Sequence, residues 1–178
     1  MKKSAILFLL LFLVVSINAQ VLNTGKTLKK GTFSAGAYPI FQGNDFGLYF
    51  LGGYGLVSGL DLGVKLGLGL GGNYFGADLE YKLISEKVDI SVVAGAHMQG
   101  DAGFDGTFNL TVPLTKSIRI YSGLDGDINF GGDVEIPVWV PVGLEVGIKN
   151  SVAILMEGDI GVTSPAGSMF GGGITFYF

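Results

Sequence analysis

The feature that most constrains the fold is a strict alternation of apolar residues with polar or small ones. It is clearest from Gly59 to Gly71, where every even position is leucine or valine. The odd positions between them hold only aspartate, lysine or glycine. Successive side chains of a β-strand point to opposite faces, so this segment is predicted to be a strand with one continuous apolar face.

The same period of two recurs along most of the chain. Two less regular segments, 33–41 and 46–54, precede the clearest one, and seven further segments follow it. Short turns rich in Gly, Asn, Ser and Lys separate them. Ten strands are predicted, and eight stays open because 33–54 alternates less cleanly.

The charged residues show what the apolar face meets. In every predicted strand the apolar row carries no charge, whereas eleven acidic residues and Lys65, Lys82 and Arg119 lie in the opposite row. A basic residue on a lipid-facing surface costs about 2–4 kcal/mol at the bilayer midplane. The segments also have about the 9–11 residues that a tilted strand needs to cross a bilayer. The pattern therefore predicts an all-β, antiparallel up-and-down transmembrane β-barrel.

Aromatic residues form two groups at the ends of the predicted strands, and the strand middles hold mostly Leu, Val, Ile and Ala. Belts of aromatic residues mark the two interfaces of a membrane barrel. One belt beside the predicted outer turns comprises Phe41, Phe46, Phe75, Phe104, Phe130 and Phe170. The other, on the predicted periplasmic side, comprises Phe33, Tyr54, Tyr81, Phe176 and Phe178.

The first nineteen residues differ in kind from the rest. Lys2 and Lys3 precede an apolar run from Ala5 to Val15, and small residues lead to Ala19. This is typical of a secretory signal peptide, 1–19, because the apolar run is too short to span a bilayer. Residues 20–30 are then predicted to be a periplasmic lead-in, and 31–178 the barrel.

Composition after this leader excludes several classes of function. Nine basic residues remain against 15 acidic ones, so a basic nucleic-acid-binding surface is excluded. The chain has no cysteine, which excludes disulfides, cysteine-bound metals and lipoprotein attachment. No cofactor or metal site is predicted, since a single histidine offers few convergent ligands.

The terminal strand from Phe170 to Phe178, with the leader and the repeated alternation, resembles the small outer-membrane β-barrel proteins of Gram-negative bacteria. Its matching positions are Ile174, Phe176 and Phe178. The resemblance implies location in the outer membrane, contact with its lipid, and recognition of this strand by the barrel-assembly machinery. It covers the mature chain but implies no particular activity.

Turn positions predict which charged residues face one another inside the barrel. Counting back from the turns places Lys65 near Asp78, Lys82 near Asp89, and Arg119 near Glu145. Such cross-strand pairs favour a structural role with a salt-bridged, mostly filled lumen. The alternative is a narrow channel or small-ligand binder, which would lean toward cations because acids outnumber bases.

His97, with Asp105 and Thr107 nearby on the same predicted face, is a weak catalytic candidate. A His–carboxylate–hydroxyl group would suit a lipid-modifying enzyme. No nucleophile or metal motif accompanies it, so an enzyme is the least favoured of the three functions.

Pro137 and Pro141 are unexpected within the longest predicted strand. Proline has no N–H to donate to a neighbouring strand. Because the two prolines are four residues apart, both missing N–H groups are on the side of the same neighbouring strand. We expect a weakened seam beside Trp139, either as a bulge or as lateral access for a lipid or apolar ligand.

Overall fold

The computed structural model describes residues 22–178, and the predicted signal peptide and its cleavage site lie outside this range. Eleven strands are defined: β1 Phe33–Gln42, β2 Asp45–Val57, β3 Leu60–Gly69, β4 Tyr74–Ser85, β5 Asp89–Gln99, β6 Asp101–Pro113, β7 Ile118–Phe130, β8 Val134–Glu135, β9 Val138–Lys149, β10 Val152–Gly161 and β11 Met169–Tyr177. Within the described residues, no helix is long and apolar enough to cross a membrane.

The strands form one closed antiparallel barrel. Each strand from β1 to β7 pairs with its sequence neighbours, β9 pairs with β10, β10 with β11, and β11 with β1. The two-residue β8 and the longer β9 both pair with β7 and act as one spanning strand interrupted at 136–137. Counted this way the barrel has ten strands, which confirms the predicted fold class and excludes the eight-strand alternative.

We call the two ends of the barrel the terminal end and the loop end. The terminal end carries the start of β1, the end of β11 and the turns 58–59, 86–88, 114–117 and 150–151. The loop end carries 43–44, 70–73, 100, 131–133 and the longest connection, 162–168. The turn 43–44 lies between the predicted segments 33–41 and 46–54.

The apolar row faces outward around the barrel, except that Leu70, just beyond β3, is buried. Leu66 is 49 % exposed and Leu124 53 %, although both lie in strand middles. The charged row is buried inside, with Asp127 at 0 % and Glu145 at 2 %. This is the reverse of a water-soluble protein, and a lipid environment is what stabilises such an exterior.

The predicted aromatic belts lie at the two ends. Cross-strand ring pairs occur in both, such as Phe33 with Tyr54 at 4.4 Å and Phe41 with Phe46 at 5.3 Å between centroids. Phe104 and Phe130 form an edge-to-face pair at 5.7 Å. These pairs stabilise the hairpins while presenting aromatic surface at both interfaces.

Candidate functional site in the barrel interior

The first described segment, residues 22–30, runs through the interior of the barrel. Three of its backbone N–H groups donate to inward side chains: Leu22 to Glu157 (2.7 Å), Gly25 to Thr111 (2.8 Å) and Leu28 to Asp61 (2.6 Å). Leu22 and Thr27 are buried. The prediction of a periplasmic lead-in is therefore wrong for this segment, which we call the lumen segment.

The lumen segment leaves the interior at the terminal end, where the chain continues into β1. There the Gly31 N–H donates to the Gly55 carbonyl at 2.8 Å, which anchors this end of the segment to β2. Leu22 at the other end packs in the apolar cluster that includes Tyr38 and Tyr121. Inward carboxylates and hydroxyls accept hydrogen bonds, so an unstructured backbone with free N–H groups satisfies them.

Tyrosine rings fill much of the remaining interior. The inward rings of Tyr38, Tyr49, Tyr74 and Tyr121 are all buried. A Cβ at Gly143 would lie 2.1 Å from Tyr121, and one at Gly67 would lie 2.6 Å from Tyr49. These glycines are the positions over which the rings lie.

We predict that Gly143→Val destabilises the barrel by about 1–3 kcal/mol, the usual cost of overpacking. The new side chain must displace the Tyr121 ring, whose atoms come within 2.1–2.5 Å of its Cβ. Denaturant unfolding in lipid vesicles measures the loss. Adding Tyr121→Ala is expected to recover part of it, and a double variant no more stable than Gly143→Val would contradict the ring as the cause.

Two of the three predicted ion pairs are present. Lys65 Nζ lies 3.1 Å from Asp78 Oδ2, and Arg119 donates to Glu145 Oε1 at 2.6 Å. Arg119 lies directly opposite Glu145 in the pairing of β7 with β9, as counting back from the turn predicted.

The third predicted pair, Lys82 with Asp89, is wrong. Lys82 lies opposite Ser91, and Asp89 accepts a hydrogen bond from Ser85 Oγ at 2.6 Å. The strands pair as far as Ser85 with Asp89, so the turn lies at 86–88, and a bulge between Lys82 and Ile84 then shifts the register by one residue. Such irregularities leave no clear mark in a period of two.

Lys65 reaches Asp78 diagonally rather than directly. Gly63 lies opposite Asp78, and a Cβ at Gly63 would come within 2.2 Å of the carboxylate. Because Gly63 has no side chain, the Asp78 carboxylate lies over β3 and reaches Lys65, two residues further along that strand. Both side chains are more than nine-tenths buried, so neither charge is solvated by bulk water.

His97 meets Asp105 as predicted, but without a hydroxyl nucleophile. Its Nδ1 contacts Asp105 Oδ1, its Nε2 lies 2.9 Å from Asn129 Oδ1, and its ring stacks on Tyr74. Thr107 donates to Asp125 instead, at 2.5 Å. The three weak catalytic candidates therefore do not form a nucleophile–base pair.

Pro137 and Pro141 face the same neighbouring strand, as their spacing predicted. Pro137 accepts a hydrogen bond from Asp127 N–H (3.1 Å) and Pro141 accepts one from Ser122 Oγ (2.8 Å), so both prolines face β7. Trp139 between them is fully buried, and its Nε1–H donates to the Gly167 carbonyl at 2.9 Å. Lateral opening of this seam stays a prediction, which hydrogen exchange in detergent can test by comparing both edges of β9.

A cavity of about 730 Å³ lies at the terminal end around the lumen segment. Its basic lining residues are Lys26, Lys29, Lys65, Lys116, Arg119 and Lys149. Its acidic ones are Asp61, Asp78, Glu80 and Glu145. The middle and loop end of the interior instead hold Asp105, Asp125, Asp127, Glu157 and Asp159. The interior is thus basic toward the terminal end and acidic beyond it.

Comparison with known proteins shows the fold alone. No protein-family model and no curated protein sequence matches this chain. Among solved structures, the NanC porin matches with a TM-score of 0.55 at 8 % identity, over 81 % of this chain and 98 % of that one. The KdgM porin, solved with disordered oligogalacturonate, matches with a TM-score of 0.53 at 12 % identity, over 82 % and 99 %. The chain is a membrane β-barrel of porin-like architecture.

Proposed function

We propose that this protein is an outer-membrane barrel with a membrane-structural role, whose lumen is closed by its own N-terminal segment. The observation that supports this most is the set of three hydrogen bonds from the lumen segment to β10, β6 and β3. These strands lie on different sides of the barrel, so one segment bridges the interior. The inward tyrosines and the two ion pairs occupy much of the rest.

The orientation follows from the same proposal. The predicted signal peptide exports the chain, and the terminal end, which carries the start of β1 and the end of β11, faces the periplasm. The outward side chains of β11, together with Phe178 directly after it, form the apolar row expected to be recognised by the barrel-assembly machinery. Lipid contacts the exposed apolar row around the barrel.

A narrow channel or small-ligand binder is the second candidate, because the terminal-end cavity is large enough for a small solute. The structural neighbours NanC and KdgM are porins, which agrees with this alternative. In an open lumen the acidic middle would favour cations over anions. Closure by the lumen segment is what separates the two functions.

Conductance in planar bilayers tests the proposal. The chain beginning at Gln20 is expected to be silent, whereas a chain beginning at Gly31 is expected to give discrete, cation-selective steps. Asn23→Ala, within the segment, serves as a matched control that should stay silent. Equal steps from all three would contradict closure by the segment and favour the channel, and silence from all three would show that side chains alone close the lumen.

A further inference from the structure

Three adjacent strands bring one imidazole and several oxygen ligands together inside the barrel, toward its loop end. His97 comes from β5, Asp105 from β6, and Asp127 and Asn129 from β7. One ligand atom from each of His97, Asp105 and Asp127 lies within 4.8 Å of the others. His97, Asp127 and Asn129 are buried, so this cluster is shielded from water.

A glycine makes the convergence possible. Gly103 lies between His97 and Asn129 in the register of the three strands. A Cβ there would come within 2.4 Å of His97 Nε2 and 2.6 Å of Asn129 Oδ1. Because this side chain is missing, His97 and Asn129 meet across β6.

A neutral His97 carries too few N–H protons for the two oxygen acceptors that face its ring nitrogens. Nδ1 of His97 faces a carboxylate oxygen and Nε2 faces an amide oxygen. A neutral imidazole carries one N–H, so one of the two contacts joins two acceptors. Asn129 is 1 % exposed, and its Nδ2 makes no hydrogen bond within the described residues. A cation, a second proton on His97 or inversion of the amide would remove this conflict.

Charge favours the cation. The side chains of Asp125 and Asp127 are buried and that of Asp105 is 9 % exposed, and Lys65 is the basic residue whose charge acts on Asp105 and Asp125. Buried carboxylates are stabilised by paired charge or by a metal ion. Imidazole with carboxylates suits divalent first-row transition metals such as Zn²⁺ and Mn²⁺.

We propose that His97, Asp105 and Asp127 bind one divalent transition-metal ion, with the Asn129 amide oxygen as a further ligand. The route to the site is the loop end, where Asp133 and Glu135 are exposed and Asp101 is half-buried. Negative charge at this mouth raises the local concentration of cations. The ion ties β5, β6 and β7 together and adds positive charge among these carboxylates.

Direct metal binding tests the site. The mature chain, refolded from denaturant into detergent without lipopolysaccharide and stripped with chelator, is titrated with Zn²⁺ by calorimetry and with Mn²⁺ by electron paramagnetic resonance. We expect about one ion per chain, with affinity lowered at least about 100-fold by His97→Gln or Asp127→Asn, since even outer partners of a metal site are worth 10–100-fold. Asp89→Asn, a carboxylate at the opposite end, is the control and should bind as the unchanged chain does.

Two results would overturn the proposal. One is absence of stoichiometric binding by the unchanged, folded chain, which would leave a second proton on His97 or an inverted Asn129 amide as the explanation of the contacts. The other is equal binding by the unchanged chain, Asp127→Asn and Asp89→Asn. If His97→Gln does not fold, Asp127→Asn and Asp105→Asn decide the outcome on their own.

Discussion

Replacing Lys65 by methionine is expected to lower the free energy of unfolding by about 3–5 kcal/mol, because removing one partner of a buried ion pair leaves the other charge uncompensated. Lys65 and Asp78 are 3.1 Å apart with side chains 8 % and 5 % exposed. Methionine fills similar space, so little of the loss comes from packing.

The measurement is denaturant unfolding in lipid vesicles, followed by the fluorescence of Trp139, the sole tryptophan. Lys87→Met in an exposed turn is the matched control, with an expected change within about 0.5 kcal/mol. Adding Asp78→Leu to Lys65→Met is expected to restore much of the stability, since both charges are then absent. Similar losses for Lys65→Met and Lys87→Met would contradict a buried pair.

The second large effect concerns the outer surface. Leu124→Arg, at the middle of β7, is expected to destabilise the membrane-embedded barrel by about 2–4 kcal/mol. Ile148→Arg, near the terminal end of β9, is expected to cost only about 0–1 kcal/mol, although both side chains are more than half exposed. Depth in the bilayer is the one property that distinguishes them.

Reversible unfolding from vesicles measures this difference. A soluble protein with the same exposure would tolerate both arginines equally, because water solvates the charge at either position. Equal costs for Leu124→Arg and Ile148→Arg would therefore contradict the membrane-spanning placement of β7. A graded cost would also locate the bilayer midplane along the strand.

Much of the fold could be predicted because each strand repeats one simple pattern. The row from Leu60 to Leu68 faces outward as its period of two indicates, and the absence of charge from that row identifies lipid rather than water. Leu70, just beyond β3, is instead buried. The turn positions also follow from breaks in the alternation. These properties depend only on neighbours in sequence, so the residues of one strand suffice.

Register was predictable only where hairpins are regular. The β7–β9 register keeps Arg119 opposite Glu145 despite the interruption at Pro137. In the β4–β5 hairpin the strands pair as far as Ser85 with Asp89, and a bulge then shifts the partner of Lys82. Pairing between β1 and β11 is interrupted at Tyr38 and Pro39, although the register is the same on both sides. No turn connects these two strands, so their register could not be counted from one.

The interior contents could not be predicted from periodicity. The lumen segment has no alternation, and only its hydrogen bonds with Glu157, Thr111 and Asp61 show why it lies inside. The surplus of inward acceptors was the available signal, because these need donors from somewhere. Likewise, the contact of His97 with Asn129 depends on Gly103 being one strand away, which sequence order does not show.

The location of the lumen segment is the central claim, and single-cysteine labelling tests it most directly because the chain has no cysteine of its own. Thr27 is 6 % exposed within the barrel, whereas Lys30 is exposed beside its terminal end. In the folded mature chain, Lys30→Cys is expected to react completely with a water-soluble maleimide while Thr27→Cys stays unmodified until denaturant is added. Equal labelling rates in the folded protein would contradict a lumen closed by its own N-terminal segment.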